Sequence, residues 1–169
     1  MSEPDVLHLT VAAAAAWIAR ELEQASQALP LDLEAALDGY IRALGLALQL
    51  GPALMEWTLD GIRGAALFLG ADQNATALST LGPAVTGLVR QVRDAEALPA
   101  TKVMSAWATA TEGLGGLIGE VGLALALPPE RRRDLLVQAR AQAALLDNVT
   151  EGRWQLVDWI DGLPTPSGA

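Results

Sequence analysis

Apolar side chains recur every three or four residues along most of the chain, which is the spacing that places them on one face of an α-helix. Valine, isoleucine, threonine and aromatic residues do not cluster in the alternating runs that indicate β-strands. The pattern therefore predicts an all-α fold, a single-domain helical bundle of about six to seven helices. The predicted helices span residues 9–28, 33–50, 52–70, 75–97, 101–127, 129–149 and 151–162.

Prolines, glycines and short polar segments mark the boundaries of these helices. Asp32 precedes the second helix and is a predicted N-cap, because its carboxylate can accept hydrogen bonds from the free N–H groups of the first turn. Pro52 and Pro129 open the third and sixth helices, where a backbone N–H would be unpaired in any case. Gly82 and Pro83 predict a kink or a break within the fourth helix.

One helical domain is predicted over residues 1–163, followed by a tail over 164–169 that we expect to be disordered. Within the domain, segments 39–52 and 116–129 are identical at 8 of 14 positions without gaps. Two explanations of this similarity stay open. A duplicated helix-turn-helix unit would give two related helical hairpins, whereas chance identities are frequent in a chain rich in alanine, leucine and glycine.

The chain is acidic, with a net charge of −9 and a pI of about 4.4. Binding to nucleic-acid phosphates requires a cationic surface, so we expect no nucleic-acid partner. Lys102 is the only lysine, and with the abundance of alanine, glycine and leucine this composition suggests a bacterial source of high GC content. The acidic N-terminus lacks the positively charged region that begins a signal peptide, which favours a cytoplasmic location.

The sequence contains no recognisable catalytic apparatus. The chain has no cysteine and one histidine, His8, so a zinc site would need carboxylates for nearly every other ligand. A Ser-His-Asp triad would have to use His8, and the chain has no Gly-x-Ser-x-Gly motif to present a serine. Glycine motifs that bind phosphates or dinucleotides are absent too. We therefore expect a protein that is not an enzyme and that has no cofactor and no metal. The glycine-rich stretch 113–116 lies inside an apolar helix, and because Gly115 and Gly119 share a face we expect close contact with another helix.

Charged residues inside apolar helices are the strongest candidates for a functional site. Glu56, Asp60 and Arg63 share a face of the third helix because they are spaced by four and three residues. The candidate polar site or interface comprises Arg42, Glu56, Trp57, Asp60, Arg63, Glu112 and Glu120. Two interpretations stay open: a polar site formed where these residues meet, or solvated helix faces with ordinary ion pairs. The five tryptophans are expected mainly in the core, with a role as interface anchors as the alternative.

Glu120 lies in a strongly apolar part of the chain, between Ile118 and Val121. A buried carboxylate without a partner is costly, so we expect either a raised pKa or an ion pair, with Arg42 or Arg63 as the candidate arginine. The helix that contains Glu120, over 101–127, is predicted to be the most buried element because it is apolar on nearly all sides.

Four classes of function remain compatible with the sequence. The favoured hypothesis is a non-enzymatic helical protein-interaction or self-assembling module, such as an adaptor, an immunity- or antitoxin-like binder or an oligomer subunit. Its support is that the second and fifth helices have polar stripes too narrow for ordinary surface helices. Burying both helices within one monomer would require the other helices to cover every side of them, whereas a homodimer would bury a shared apolar patch. The alternatives are an apolar small-molecule carrier or sensor that binds within the helical core, a membrane-active helical protein, and an enzyme that uses only carboxylates and arginines. The membrane hypothesis rests on the apolar run 113–129 and is weakened by Glu120 near its middle.

Overall fold

The structure is a computed structural model that describes residues 10–164. The described part is an all-α helical bundle: helix accounts for 83% of it and it contains no strand, as the apolar periodicity predicted. His8 and the predicted disordered tail, apart from Pro164, lie outside the described residues. The helices are α1 (Val11–Ala28), α2 (Leu33–Leu50), α3 (Pro52–Ala71), α4 (Ala75–Asp94), α5 (Lys102–Ala126), α6 (Pro129–Val149) and α7 (Leu156–Asp161).

Short polar side chains begin several of these helices. Asp32 is the N-cap of α2, as predicted, and its carboxylate accepts a hydrogen bond from the Ala35 N–H at 3.2 Å. Thr10, Asn74 and Thr101 accept backbone hydrogen bonds in the same way at the starts of α1, α4 and α5. Each cap satisfies one of the donors that the first helical turn leaves unpaired. The predicted boundaries of α1 to α6 agree with the observed ones to within three residues.

The backbone contacts divide the chain into two compact units. The first unit contains the chain up to Ile62 together with Gly87–Thr111, and the second contains Arg63–Thr86 together with the chain from Glu112 onward. The boundaries fall inside α3, α4 and α5, so each of these helices contributes residues to both units. The single domain predicted over 1–163 stays a prediction.

In the first unit, α1 and α2 pack against each other. A close approach lies at Gly39 of α2, where an added Cβ would be 3.0 Å from the Ala25 Cβ of α1. The core of this unit includes Ile18, Leu44 and Met55, whose exposed fraction is zero. Small residues at the contact and large ones around it allow the two helices to pack at the density of a protein interior.

In the second unit, α4 and α5 approach each other backbone to backbone. A Cβ added to Gly82 of α4 would lie 2.6 Å from the Gly115 carbonyl oxygen and 2.7 Å from the Gly119 Cα of α5. A Cβ added to Gly122 would lie 2.7 Å from the Ser79 backbone nitrogen. Side-chain carbons do not come this near to backbone atoms, so the contact requires glycine at these positions. The close helix contact predicted for Gly115 and Gly119 is confirmed.

α4 is one continuous helix through Gly82 and Pro83, so the break that was one of the two predicted outcomes is absent. Proline in a helix interior removes one backbone donor and costs about 3 kcal/mol relative to alanine. Leu78, Leu81 and Val85 are fully buried on either side of the proline. Their packing stabilises both halves of the helix and overrides the local preference for a helix end.

The last helix is shorter than the predicted 151–162, because α7 contains only the six residues Leu156–Asp161. Glu151, Gly152 and Gln155 have φ values of 54°, 77° and 50°, a left-handed conformation that a right-handed helix does not contain. Trp154 therefore lies in a turn and not in a helix, although it is only 1% exposed.

The fifth helix, predicted to be the most buried element, buries more residues than any other described helix but not the largest fraction of its length. α5 buries 12 of its 25 residues, but α2 buries nine of its 18 and exposes only four. Ile118 is fully buried, as its apolar surroundings indicated. The exposed residues of α5 include Lys102, Thr109, Gly116 and Leu123, which are spaced by seven and form the narrow exposed stripe. The apolar sequence of α5 therefore overstated its burial, since Leu123 is exposed in spite of its side chain.

Replacing Gly82 by alanine is expected to destabilise the protein by about 1–3 kcal/mol, because the new methyl group would overlap backbone atoms of α5. Gly87 of the same helix is exposed, and an added Cβ there meets nothing within 4 Å. Gly87→Ala is therefore the matched control and should stabilise the protein by about 0.5–1 kcal/mol. Urea unfolding followed by circular dichroism measures both changes, and equal stabilities would contradict the close contact between α4 and α5.

Candidate functional site

The seven residues predicted to form a polar site are distributed over both units. The first unit contains Arg42, Glu56, Trp57 and Asp60, and the second contains Arg63, Glu112 and Glu120. Neither unit by itself contains the whole predicted site. A single site formed by all seven stays a prediction, and the contacts of each residue within its own unit show what that residue does.

Arg42 joins α2 to α1 through an ion pair with Glu21. Its Nη2 lies 3.0 Å and its Nε 3.3 Å from the same carboxylate oxygen of Glu21. The Arg42 side chain is 49% exposed and that of Glu21 is 12% exposed. An ion pair with one partner so exposed is worth about 0.2–1 kcal/mol. Arg42 therefore has an ordinary structural partner, on a neighbouring helix and not on its own.

The acidic face of α3 includes an accessible tryptophan. Trp57 is 42% exposed, Asp60 is exposed and Glu56 is half-buried. The tryptophans predicted for the core are found there in three of five cases, namely Trp17, Trp154 and Trp159. Trp57 is thus the tryptophan whose exposure fits the alternative, an interface anchor.

Arg63 holds the C-terminal segment to α3 within the second unit. Its Nε donates a hydrogen bond to the carbonyl oxygen of Trp154. Gly70 leaves room for the same segment, because an added Cβ there would lie 2.9 Å from the Trp159 Nε1 and 2.9 Å from the Leu163 Cδ2. Arg63 therefore helps to hold the segment that contains α7, and a functional role for this residue stays a prediction.

Glu120 of α5 is half-buried, and desolvation raises the pKa of its carboxyl, as one of the two predicted outcomes required. The other outcome, an ion pair with Arg42 or Arg63, is wrong. Arg42 is paired with Glu21, Arg63 donates to Trp154, and within the described residues no charge or hydrogen bond contributes to the shift at Glu120. Partial exposure lets water solvate this carboxylate, so it does not need an arginine.

Glu112 lies beside the contact between α4 and α5. Its side chain is half-buried, and its carbonyl oxygen accepts a hydrogen bond from the Thr86 hydroxyl at 3.2 Å. This bond joins α4 and α5 next to Gly115. The backbone of Glu112 therefore contributes to helix packing.

The most exposed apolar surface of the second unit lies on α6. Of its 21 residues only Ala139 and Ala143 are buried. Val137, Leu145 and Val149 are 64%, 69% and 64% exposed. With the exposed Ala141 they follow one another at intervals of four residues, so consecutive members are neighbours on the helix surface. We call Val137, Ala141, Leu145 and Val149 the α6 face.

The other side of α6 is attached to the rest of the second unit by hydrogen bonds. Arg132 Nη2 donates to the Leu125 and Leu127 carbonyl oxygens at 3.0 and 3.4 Å, which satisfies acceptors at the end of α5. The Asp147 carboxylate accepts from the Leu156 and Val157 N–H groups at 2.8 and 3.0 Å and so caps α7.

An exposed ion pair adds to this attachment, since Arg140 bonds Asp161 of α7 through two atom pairs at 2.9 and 3.2 Å. Arg140 in turn lowers the pKa of the Asp161 carboxyl by hydrogen bonding to it. α6 is therefore fixed in place while the α6 face remains uncovered within the described part of the chain.

Sequence reasoning did not find the α6 face. It favoured the second and fifth helices because their polar stripes are narrow, whereas α6 contains four arginines and is the most polar of the long helices. The interval of four between its apolar residues is visible in the sequence. Leu135, Leu136 and Leu146 are equally apolar, however, and only the folded chain shows that they lie on the half-buried side.

Two further classes of site are not found in residues 10–164. This part of the chain contains no group of three or more histidine, cysteine, aspartate and glutamate side chains that could hold a metal ion. None of its helices combines the length and the apolar character that a crossing of the bilayer requires.

No known family model matches the chain, and neither a curated protein nor a solved structure was found that resembles it.

Replacing Glu120 by glutamine is expected to raise the Tm at pH 7, because desolvation disfavours the charged carboxylate in the folded state. A raised folded-state pKa means that stability is lost as the pH rises through that pKa, so the gain should vanish below about pH 4, where the carboxyl is protonated in both states. Glu23→Gln on α1 removes the same charge from an exposed position and is the control. Thermal unfolding between pH 3.5 and 7 measures both, and equal changes for the two variants would contradict the desolvation of Glu120.

Proposed function

We propose that this protein is a non-enzymatic helical interaction module and that its α6 face binds another protein surface. The observation that carries the proposal is the exposure of Val137, Leu145 and Val149, each above 60%, on a helix that is fixed along its other side. Scattered apolar residues on a protein surface need no explanation, but a continuous stripe of them marks a contact site. Apolar anchors at intervals of three and four are also the pattern by which a helix docks into a partner.

The α6 face can contribute part of the free energy of binding to a partner. Burying a valine or leucine completely contributes about 1.5–3 kcal/mol, so each of the three large side chains offers roughly 1–2 kcal/mol beyond what its present burial provides. α6 is already ordered by its contacts with α5 and α7, so binding would not have to order a flexible segment.

The composition of the α6 face suits binding to a protein better than binding to a polar substrate. The α6 face is aliphatic, and the charged residues of α6 that lie nearest its attachment have partners: Arg132 on α5, and Arg140 and Asp147 on the segment that contains α7. An aliphatic stripe supports recognition of a protein surface better than it supports the binding of a polar substrate.

The substitution Leu145→Glu is expected to abolish binding while it leaves the fold intact, because this side chain is 69% exposed and contributes little to the core. Val149→Glu should have the same effect. Val103→Glu on α5, at a side chain that is 53% exposed, is the matched control and should bind as the wild type does. Circular dichroism and Tm verify the fold, with changes below about 0.5 kcal/mol expected in all three variants.

Binding is measured in two ways: by sedimentation of the protein alone, and by quantifying the proteins retained from an extract of the source organism on immobilised wild type and variants. Association that disappears in Leu145→Glu and Val149→Glu but persists in Val103→Glu supports the proposal. If all three variants associate as the wild type does, or the wild type neither self-associates nor retains another protein, the α6 face is not the binding surface.

A further inference from the structure

We propose that the occupant of the α6 face is the α6 face of a second copy of this chain, paired in the antiparallel direction about a two-fold axis. This inference rests on the proposed function, since it names the partner for the surface identified above. It is carried by two observations: the symmetric spacing of the apolar residues and the charges at the two ends of the helix.

The α6 face is symmetric about the level of Ala143. Its members lie at 137, 141, 145 and 149, so a two-fold axis at this level sets Val137 opposite the partner's Val149 and Ala141 opposite the partner's Leu145. Each large side chain at the centre then meets a small one. Pairing large with small residues allows two helices to pack at the usual separation of about 8–10 Å.

Opposite charges lie at the two ends of this surface. Arg131 and Arg133 are exposed at the N-terminal end of α6, and Glu151 is exposed just beyond its C-terminal end. Within residues 10–164 none of these three side chains has an ion-pair partner. Antiparallel pairing brings the N-terminal end of α6, with Arg133, beside the partner's Glu151, which follows the C-terminal end of the partner's α6. Parallel pairing would instead place arginines against arginines, so the charges select the antiparallel arrangement.

The charge of α6 also suits a second copy better than the rest of the chain does. The protein has a net charge of −9, which opposes self-association. α6 has four arginines against three acidic residues, so its net charge is +1. When two copies meet through α6, the contacting surfaces do not have the negative net charge of the whole protein, so they repel each other less.

The size of the contact sets the expected strength. A helix of 21 residues is about 31 Å long, and a pair of such helices gives an interface at the lower end of the range for specific association. We therefore expect a reversible dimer with a Kd on the order of micromolar.

Cysteine crosslinking tests the direction of pairing, because the natural chain contains no cysteine. Single variants Ala141→Cys and Arg131→Cys are treated with a bismaleimide that spans about 10 Å. In the antiparallel dimer the two copies of position 141 lie close to the two-fold axis. The two copies of position 131 are about 36 Å apart, measured along the helices. Only Ala141→Cys should therefore form a covalent dimer, and Ala106→Cys, exposed on α5, controls for random collisions.

A charge exchange provides a second measurement. Arg133→Glu and Glu151→Arg should each raise the dimer Kd by about two- to thirtyfold, because each removes two exposed ion pairs per dimer. The double variant restores opposite charges across the interface and should return the Kd to near the wild-type value. A surface role in folding would not produce this mutual rescue.

The outcomes separate this inference from the proposed function. Crosslinking at both 141 and 131, or charge variants without rescue, would overturn the antiparallel pairing while the binding role of the α6 face stands. A wild type that is monomeric at about 100 µM, but retains a cellular protein through Leu145, would overturn self-association alone. A monomer whose Leu145→Glu and Val103→Glu variants behave alike would overturn both.

Discussion

The direct backbone contact between α4 and α5 is the constraint on which the second unit depends. Packed helices usually lie about 8–10 Å apart because side chains separate them. Here Gly82 meets Gly115 and Gly119 with no room for a single added carbon. The Thr86 hydroxyl donates to the Glu112 carbonyl beside this contact. Such close packing keeps α4 helical through Pro83, because a helix that ended at this proline would lose the contacts with α5 before and after it.

The position of α6 follows from the way it packs on α5. Leu146 lies against Gly113, where an added Cβ would be 2.9 Å from the Leu146 Cδ2. Arg132 bonds the carbonyl oxygens at the end of α5, and Ala139 and Ala143 are the only buried residues of α6. A helix attached along so narrow a strip leaves most of its circumference in water. The α6 face is therefore an ordered apolar surface, which can associate at a small cost in conformational entropy.

The sequence by itself determined the fold class, the bounds of six helices, the Asp32 cap and the close contact at Gly115 and Gly119. These features depend on local chemistry: the periodicity of apolar side chains, the missing donor of proline, and the small size of glycine. Each acts within a few residues along the chain, so the order of residues alone is enough to reveal it. The same reasoning also showed that Glu120 is either paired or has a raised pKa, because the cost of desolvating a carboxylate is general.

Only the tertiary structure decided which side of α6 is buried and which partners the charged residues take. Apolar residues occupy both sides of that helix, so its periodicity does not choose between Leu146 and Leu145. Arg42 found its partner 21 positions earlier in the chain, and Arg63 found the carbonyl of Trp154 91 positions later. Such pairs depend on which helices become neighbours, and that is set by the packing of all the helices together and not by any short stretch of sequence.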